Sequence, residues 1–138
     1  MNRRSLTISS IDRDRLELLV RDAVAGGGTP RDRLCALKSK LDDAEVLQPE
    51  KMPRDVVTMN STVRLRDMDT GEIETYTLVY PAFGNIAEGC LSVLTPLGSA
   101  ILGHRKGDVP ESETPFATSR MQIEDLEFQP ESGGQYDV

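Results

Sequence analysis

His104 is the single histidine of this 138-residue chain, so a Ser-His-Asp or Cys-His mechanism would have to run through it, with Cys35 or Cys90 as the thiol. It follows Gly103, a helix-closing position, and precedes Arg105-Lys106-Gly107-Asp108. That context reads as an exposed basic turn, suited to contacting a partner rather than to relaying protons. Gly26-Gly27-Gly28-Thr29 could cradle a phosphate at a helix start. A phosphate loop, however, follows a strand and carries Gly-Lys-Ser/Thr, whereas here a helix precedes, Pro30 removes an N–H donor and Asp32 repels an anion. Asp67-Met68-Asp69-Thr70-Gly71-Glu72 has the carboxylates of a calcium loop but not its remaining ligands, and reads as a hairpin turn. Asp42, Asp43 and Glu45, like Glu124, Asp125 and Glu127, read as solvated faces. The two cysteines lack CxxC spacing and read as small buried hydrophobes in a reducing compartment. No enzyme signature emerges, and no metal or cofactor is expected.

The elements around these residues are well marked. Ser9-Ser10-Ile11-Asp12 is a capping box, and Leu16, Leu19, Val20, Ala23 and Val24 follow at helical spacing. The glycines at 26–28 stop that helix. Thr29 as N-cap and Pro30 at the first helical position predict a second one. Its seam Leu34, Leu37, Leu41, Ala44 and Gln48 is a short heptad run, closed by Pro49 and Pro53. Two such helices across a glycine turn predict an antiparallel hairpin over residues 1–52.

From Asp55 the period changes to two. Val57, Met59, Ser61, Val63 and Leu65, then Ile73, Thr75, Thr77 and Val79, predict a β-hairpin, and Cys90–Leu94 a short buried strand. Thr95-Pro96 launches a short helix through Leu102 that Gly103 closes. Met121, Ile123, Leu126 and Phe128 form a last strand. Val109–Pro115, with two prolines and few strand formers, reads as a loop, and the tail after Pro130 as loosely ordered.

Charge divides at the same place. Residues 1–52 hold ten Lys/Arg against nine Asp/Glu, and residues 53–138 six against fourteen, within a net charge of −7. So acidic a second half argues against binding a phosphate backbone and suits a basic protein partner. No apolar run approaches the ~18 residues of a membrane span and no secretory leader is visible, so a cytoplasmic protein is expected. With no Trp, and with three Phe and three Tyr, an aromatic-lined pocket would be hard to build.

Read together, Met52-Pro53-Arg54-Asp55-Val56-Val57-Thr58-Met59-Asn60-Ser61, Thr77–Pro81, Thr95–Asp108 and Glu127–Glu131 resemble a small bacterial family, the regulators of nucleoside diphosphate kinase. That family is related to the Gre transcript-cleavage factors. The resemblance runs from the first helix to Gln135-Tyr136. It implies an α+β chain: a short helical hairpin (1–52) followed by a Gre-type C-terminal domain (53–138) with an FKBP-like antiparallel sheet and one short helix. In Gre factors that domain docks on the rim of the RNA polymerase secondary channel. Carried over, the docking residues are Thr95, Pro96, Leu97 and Ser99. Gre factors also insert a long coiled coil whose acidic tip holds a catalytic magnesium ion. Here the tip offers Asp22 and Asp32, on helices of ~16–18 residues that reach ~24–27 Å, about half a Gre coil. The implied role is occupancy of the channel rim without cleavage stimulation, in competition with longer coiled-coil factors. Neither specific nucleic-acid binding nor a membrane partner is implied.

The chain departs from its relatives after Asp108, where Val109–Phe116 has neither an apolar alternating strand nor a Pro-Gly-Gly turn. Two other readings stand beside the regulator. One is direct contact with nucleoside diphosphate kinase. The other, a peptidyl-prolyl isomerase, rests on fold alone, and the aromatics it needs (Tyr76, Tyr80, Phe83, Phe116, Phe128, Tyr136) are scattered. The heptad also suits self-association.

Overall fold

Residues 6–113 and 118–130 are described by a computed structural model. Phe116, Tyr136 and the tail from Glu131 lie outside the described residues, as do Thr114 and Pro115. A three-residue strand β1 (Thr7–Ser9) leads into α1 (Ser10–Gly26), and α2 (Arg31–Asp43) returns to β2 (Glu45–Leu47). The capping box forms as expected: Ser9 Oγ accepts from Asp12 N at 3.1 Å. Gly27 closes α1 in the left-handed region at φ 73°.

The second helix differs at both ends from the sequence reading. Pro30, not Thr29, occupies the N-cap position, without a side-chain cap. The helix stops at Asp43, because Ala44 turns extended and residues 45–47 pair in parallel with β1. Ala44 and Gln48 therefore leave the predicted seam. A pair of three-residue strands carries no periodic signal. The pairing exists because the hairpin brings its two ends together, with Glu45 N donating to Leu6 O at 2.7 Å.

Five strands follow in the order β5-β4-β3-β7-β6. The central hairpin β3 (Thr62–Asp67) and β4 (Ile73–Val79) is antiparallel, as its alternation predicts. Its pairing runs on only to Asn60 and Ser61, where Asn60 N donates to Leu78 O at 2.6 Å and Leu78 N to Ser61 O at 2.9 Å; the residues before them leave the strand. Val56 bridges Arg105 outside any strand, and Thr58–Ser61 is a turn with Asn60 at φ 66°. On the other flank β7 (Thr118–Phe128) pairs with β3 through two register shifts. These skip Glu124 and Glu127; the first is why Ile123 and Leu126, three apart, share the core face, and the second turns Phe128 opposite Thr62, where it stands 41% exposed.

The segment read as a loop contains a strand, β6 (Glu111–Glu113), antiparallel to Thr118–Arg120. An edge strand needs backbone pairing on one side only, so polar residues between prolines suffice, and charge there guards the edge. Leu16, Leu37 and Leu41 of the hairpin join Val63, Leu78 and Ile123 of the sheet in one continuous apolar cluster. The chain is α+β.

Candidate functional site

The short helix α3 (Pro96–Ile101) is held at its start by three residues. Thr95 Oγ1 accepts from Gly98 N at 3.1 Å and donates to Ser92 O at 2.6 Å. Thr95 N donates to the same carbonyl at 3.1 Å. Ser92 ends β5 (Cys90–Ser92), so the cap welds helix to sheet edge. The backbone at Gly98 lies directly on that strand: a Cβ there would sit 2.1 Å from Ser92 O. Thr95, Pro96, Leu97 and Ser99 thus share one half-exposed turn, as the sequence expected. The Thr95 hydroxyl is spent on the cap, and Leu97 packs partly against the core, leaving Pro96 and Ser99 as its outward surface.

Sequence reasoning missed what holds this turn from behind. Arg33 and Lys40, seven residues apart, share one flank of α2. Arg33 Nη1 donates to Leu94 O at 3.3 Å. Lys40 Nζ donates to Ser99 O at 2.5 Å, Ala100 O at 3.1 Å and Leu102 O at 3.0 Å, satisfying the carbonyls that end α3. A cation there also opposes the negative end of the helix dipole. Burial pulls the Lys40 amine down from 10.5 to about 8. Two long side chains of α2 therefore reach across to this turn, Arg33 to the residue before its cap and Lys40 to the carbonyls at the end of α3. The one sequence signal was a cation interval of seven beside the leucine seam.

The run that carried the resemblance proves to be architectural. Val57 N donates to His104 O and Gly103 N to Val57 O, each at 2.9 Å. Gln129 Nε2 donates to Pro53 O and Val56 O, each at 2.7 Å. Asp12, buried at 4% exposure, accepts from Met59 N at 3.1 Å and fastens α1 to this run. Burial, and then the nearby Asp12 carboxylate, push the Tyr80 phenol up.

The remaining chemical candidates have structural partners or stand apart. His104 is half-buried rather than exposed, its Nδ1 3.4 Å from Asp108 Oδ2, which also accepts from Arg105 N at 3.0 Å. Asp67 Oδ1 accepts from Asp69 N and Thr70 N at 2.8 and 3.2 Å, locking a hairpin turn in which Gly71 takes φ 78°. Glu124 and Asp125 are not merely solvated: Arg66 Nη2 lies 2.7 Å from Glu124, and Arg64 Nη2 3.5 Å from Asp125. Cys35 is exposed on α2 and Cys90 half-buried in β5; both thiols are free. Neither is the buried hydrophobe expected, since Cys35 falls off the leucine seam and Cys90 lies on an edge strand. Asp22 and Asp32 are exposed near the hairpin tip. Among the described residues no three His, Cys, Asp or Glu gather to hold a metal ion. Nor is any helix among them long and apolar enough to cross a membrane.

A helical hairpin laid against an α+β domain whose short helix opens on Thr-Pro defines a class. Residues 52–128 match the family described as transcription elongation factor, GreA/GreB, C-terminal. Over 137 residues the chain is 39% identical to the regulator of nucleoside diphosphate kinase of Escherichia coli strain K12, covering 99% of this chain and 98% of that one. The chain belongs to this regulator family within the GreA/GreB-related proteins. A solved GreA/GreB transcription elongation factor from Nitrosomonas europaea has 38% identity and a TM-score of 0.74, covering 90% of this chain and all of that one. Transcription elongation factor GreA of Dehalococcoides mccartyi is 36% identical over 101 residues, 73% of this chain and 65% of that factor.

Proposed function

We propose that this chain is a non-enzymatic transcription regulator. In this reading it docks on RNA polymerase at the rim of the secondary channel through Thr95, Pro96, Leu97 and Ser99. Residues 53–138 are the docking unit, and hairpin 1–52 is an orienting unit beside it. It works in the cytoplasm, where polymerase is. It occupies the rim and competes with longer coiled-coil factors without stimulating transcript cleavage.

The observation carrying this reading is the clamp of α2 on α3. A surface turn capped by Thr95, fixed to Ser92 and gripped from behind by Arg33 and Lys40 is rigid before it meets a partner, which lowers the ordering cost of binding. The same clamp keeps the hairpin alongside the turn. Its helices of 17 and 13 residues span about 25 and 20 Å at 1.5 Å per residue, so Asp22 and Asp32 stay near the rim.

The test is retention of core RNA polymerase by the purified protein, competed with a Gre factor. Displaceable retention is expected, and its loss in Pro96→Ala and Thr95→Glu proteins whose thermal melts show them folded. Retention unchanged in both would remove the turn from the interface. No retention where a Gre control binds would end the polymerase reading.

A second reading follows from the name of the 39%-identical relative: direct modulation of nucleoside diphosphate kinase. Kinase turnover changed by adding the purified protein would favour it; unchanged turnover would leave an effect through gene expression.

A further inference from the structure

Away from the α3 contact, the hairpin carries an open groove of about 450 Å³. It is lined at positions 17, 20, 21 and 24 of α1 and at 31, 34, 35 and 38 of α2. Both sets step i, i+3 or i+4, i+7, so the groove runs parallel to the helices for about two turns, or ~10 Å. Val20 and Leu34, 7% and 3% exposed, form its floor, and Val24 stands half-exposed at its side. Lys38 on the rim is answered by Asp42 at 2.7 Å and Glu17 at 3.8 Å. Arg21 and Arg31 are exposed and make no ion pair or side-chain hydrogen bond among the described residues. An apolar trough thus lies between two uncommitted guanidinium groups, on a chain whose net charge is −7.

We propose that this groove is a docking site for an acidic amphipathic helix of a protein partner. The partner's apolar stripe lies on Val20, Val24 and Leu34, and its flanking carboxylates meet Arg21 and Arg31. Two-turn length with matching helical steps on both walls is the geometry of helix-in-groove recognition. Charge selects the partner: Asp or Glu beside the stripe is attracted, Lys or Arg repelled.

A second copy of this chain fits poorly. The apolar stripes of its own α1 and α2 are already buried in its core, so it has no free amphipathic helix to lay into the trough. A small molecule also fits poorly, because the trough is open and has neither an aromatic wall nor a converging set of buried polar groups to orient a ligand. The inference does not rest on the docking turn, since the groove's α2 residues lie on the opposite flank of that helix from Arg33 and Lys40.

The test uses the full chain, amide NMR shifts, and two designed 14-residue helical peptides that share a Leu stripe but carry flanking Glu or flanking Lys. The Glu peptide is expected to shift residues 17–24 and 31–38 with at least tenfold higher affinity than the Lys peptide. In the Arg21→Glu/Arg31→Glu protein the preference should invert. These residues are exposed, so the variant should melt as the parent does. Equal binding of both peptides, no binding of either, or a preference unchanged by the charge reversal would overturn the proposal. Dodecanoate shifting the same residues while the Glu peptide does not would assign the groove to a small amphiphile instead. A concentration-dependent rise in mass by light scattering, abolished by the charge reversal, would assign it to self-association. Either result would overturn the helix proposal.

Discussion

The two flanks of α2 carry the same residue types and use them in opposite ways. Arg33 and Lys40, about 20° apart around the helix axis at 100° per residue, donate hydrogen bonds to the carbonyl of Leu94, just before α3, and to those at its end. Arg31, about 200° from Arg33, faces the groove and finds no partner among the described residues. Between the flanks, Leu34, Leu37 and Leu41 are buried. Composition cannot distinguish these cations; helical phase does. The committed flank fixes how the hairpin lies on the docking turn, and the uncommitted flank leaves charge available for something else.

If the committed flank is rigid as described, its tightest contact should be the most damaging to disturb. Gly98→Ala places a methyl carbon 2.1 Å from the backbone oxygen of Ser92 and 2.9 Å from its carbonyl carbon. Backbone cannot swing away as a flexible side chain would. A loss of about 3 kcal/mol or more is expected, read as a lower thermal midpoint by circular dichroism. Polymerase retention should fall with it, because α3 must lift off β5. A variant that melts like the parent would show that α3 is loosely seated.

That contact was invisible in the sequence. What was legible there were local signals: the Ser9 capping box, Thr95-Pro96 at the start of α3, Gly27 at the end of α1, and the alternation of β3 and β4. Even one bulge of β7 was written in the three-residue step from Ile123 to Leu126. What was not legible depends on partners distant in sequence. Glu111–Glu113 became a strand because β7 offered a free edge, and Thr7–Ser9 because the hairpin delivered Glu45–Leu47 to it. Of the site, the position of the turn was readable from Thr95 and Pro96, whereas its clamp was not. Lys40 lies 59 residues from Ser99 along the chain, and nothing local marks the pair.

Lys40 gives the next effect. Lys40→Met retains the stem's packing but leaves the carbonyls of Ser99, Ala100 and Leu102 without their donor. Relief from burying a charge offsets part of that loss, so about 1 kcal/mol is expected at pH 7. Its pH dependence is the sharper test. Because burial holds the folded-state amine near 8 against 10.5 unfolded, the unfolded chain binds more protons between those values. The parent's stability at this site therefore rises with pH from 8 to 10.5 and is flat below 8. The variant lacks that rise, so the stability difference between parent and Lys40→Met should widen across the window. Paired denaturant titrations at pH 7 and pH 10 measure it, and a constant difference would show that Lys40 keeps an ordinary amine.

The smallest effects should come from the hairpin tip, where the same Gly→Ala change meets no neighbours at all. An added Cβ at Gly26 or Gly27 has nothing within 4 Å, so packing drops out and only backbone conformation remains. Gly27 sits at φ 73°, a region costing an L-residue about 1–2 kcal/mol, and Gly27→Ala should lose about 1 kcal/mol. Gly26 is the last residue of α1 and lies outside the left-handed region, so Gly26→Ala should gain about 0.5 kcal/mol by restricting the unfolded chain. One methyl group thus measures the molecule at three places: a clash where α3 meets β5, conformational strain at the helix cap, and a slight gain one residue before it. Urea midpoints of the three single variants should fall in that order. Were Gly26→Ala as damaging as Gly98→Ala, the tip would have to be packed against something, and the groove beside it would not be free to receive a partner's helix.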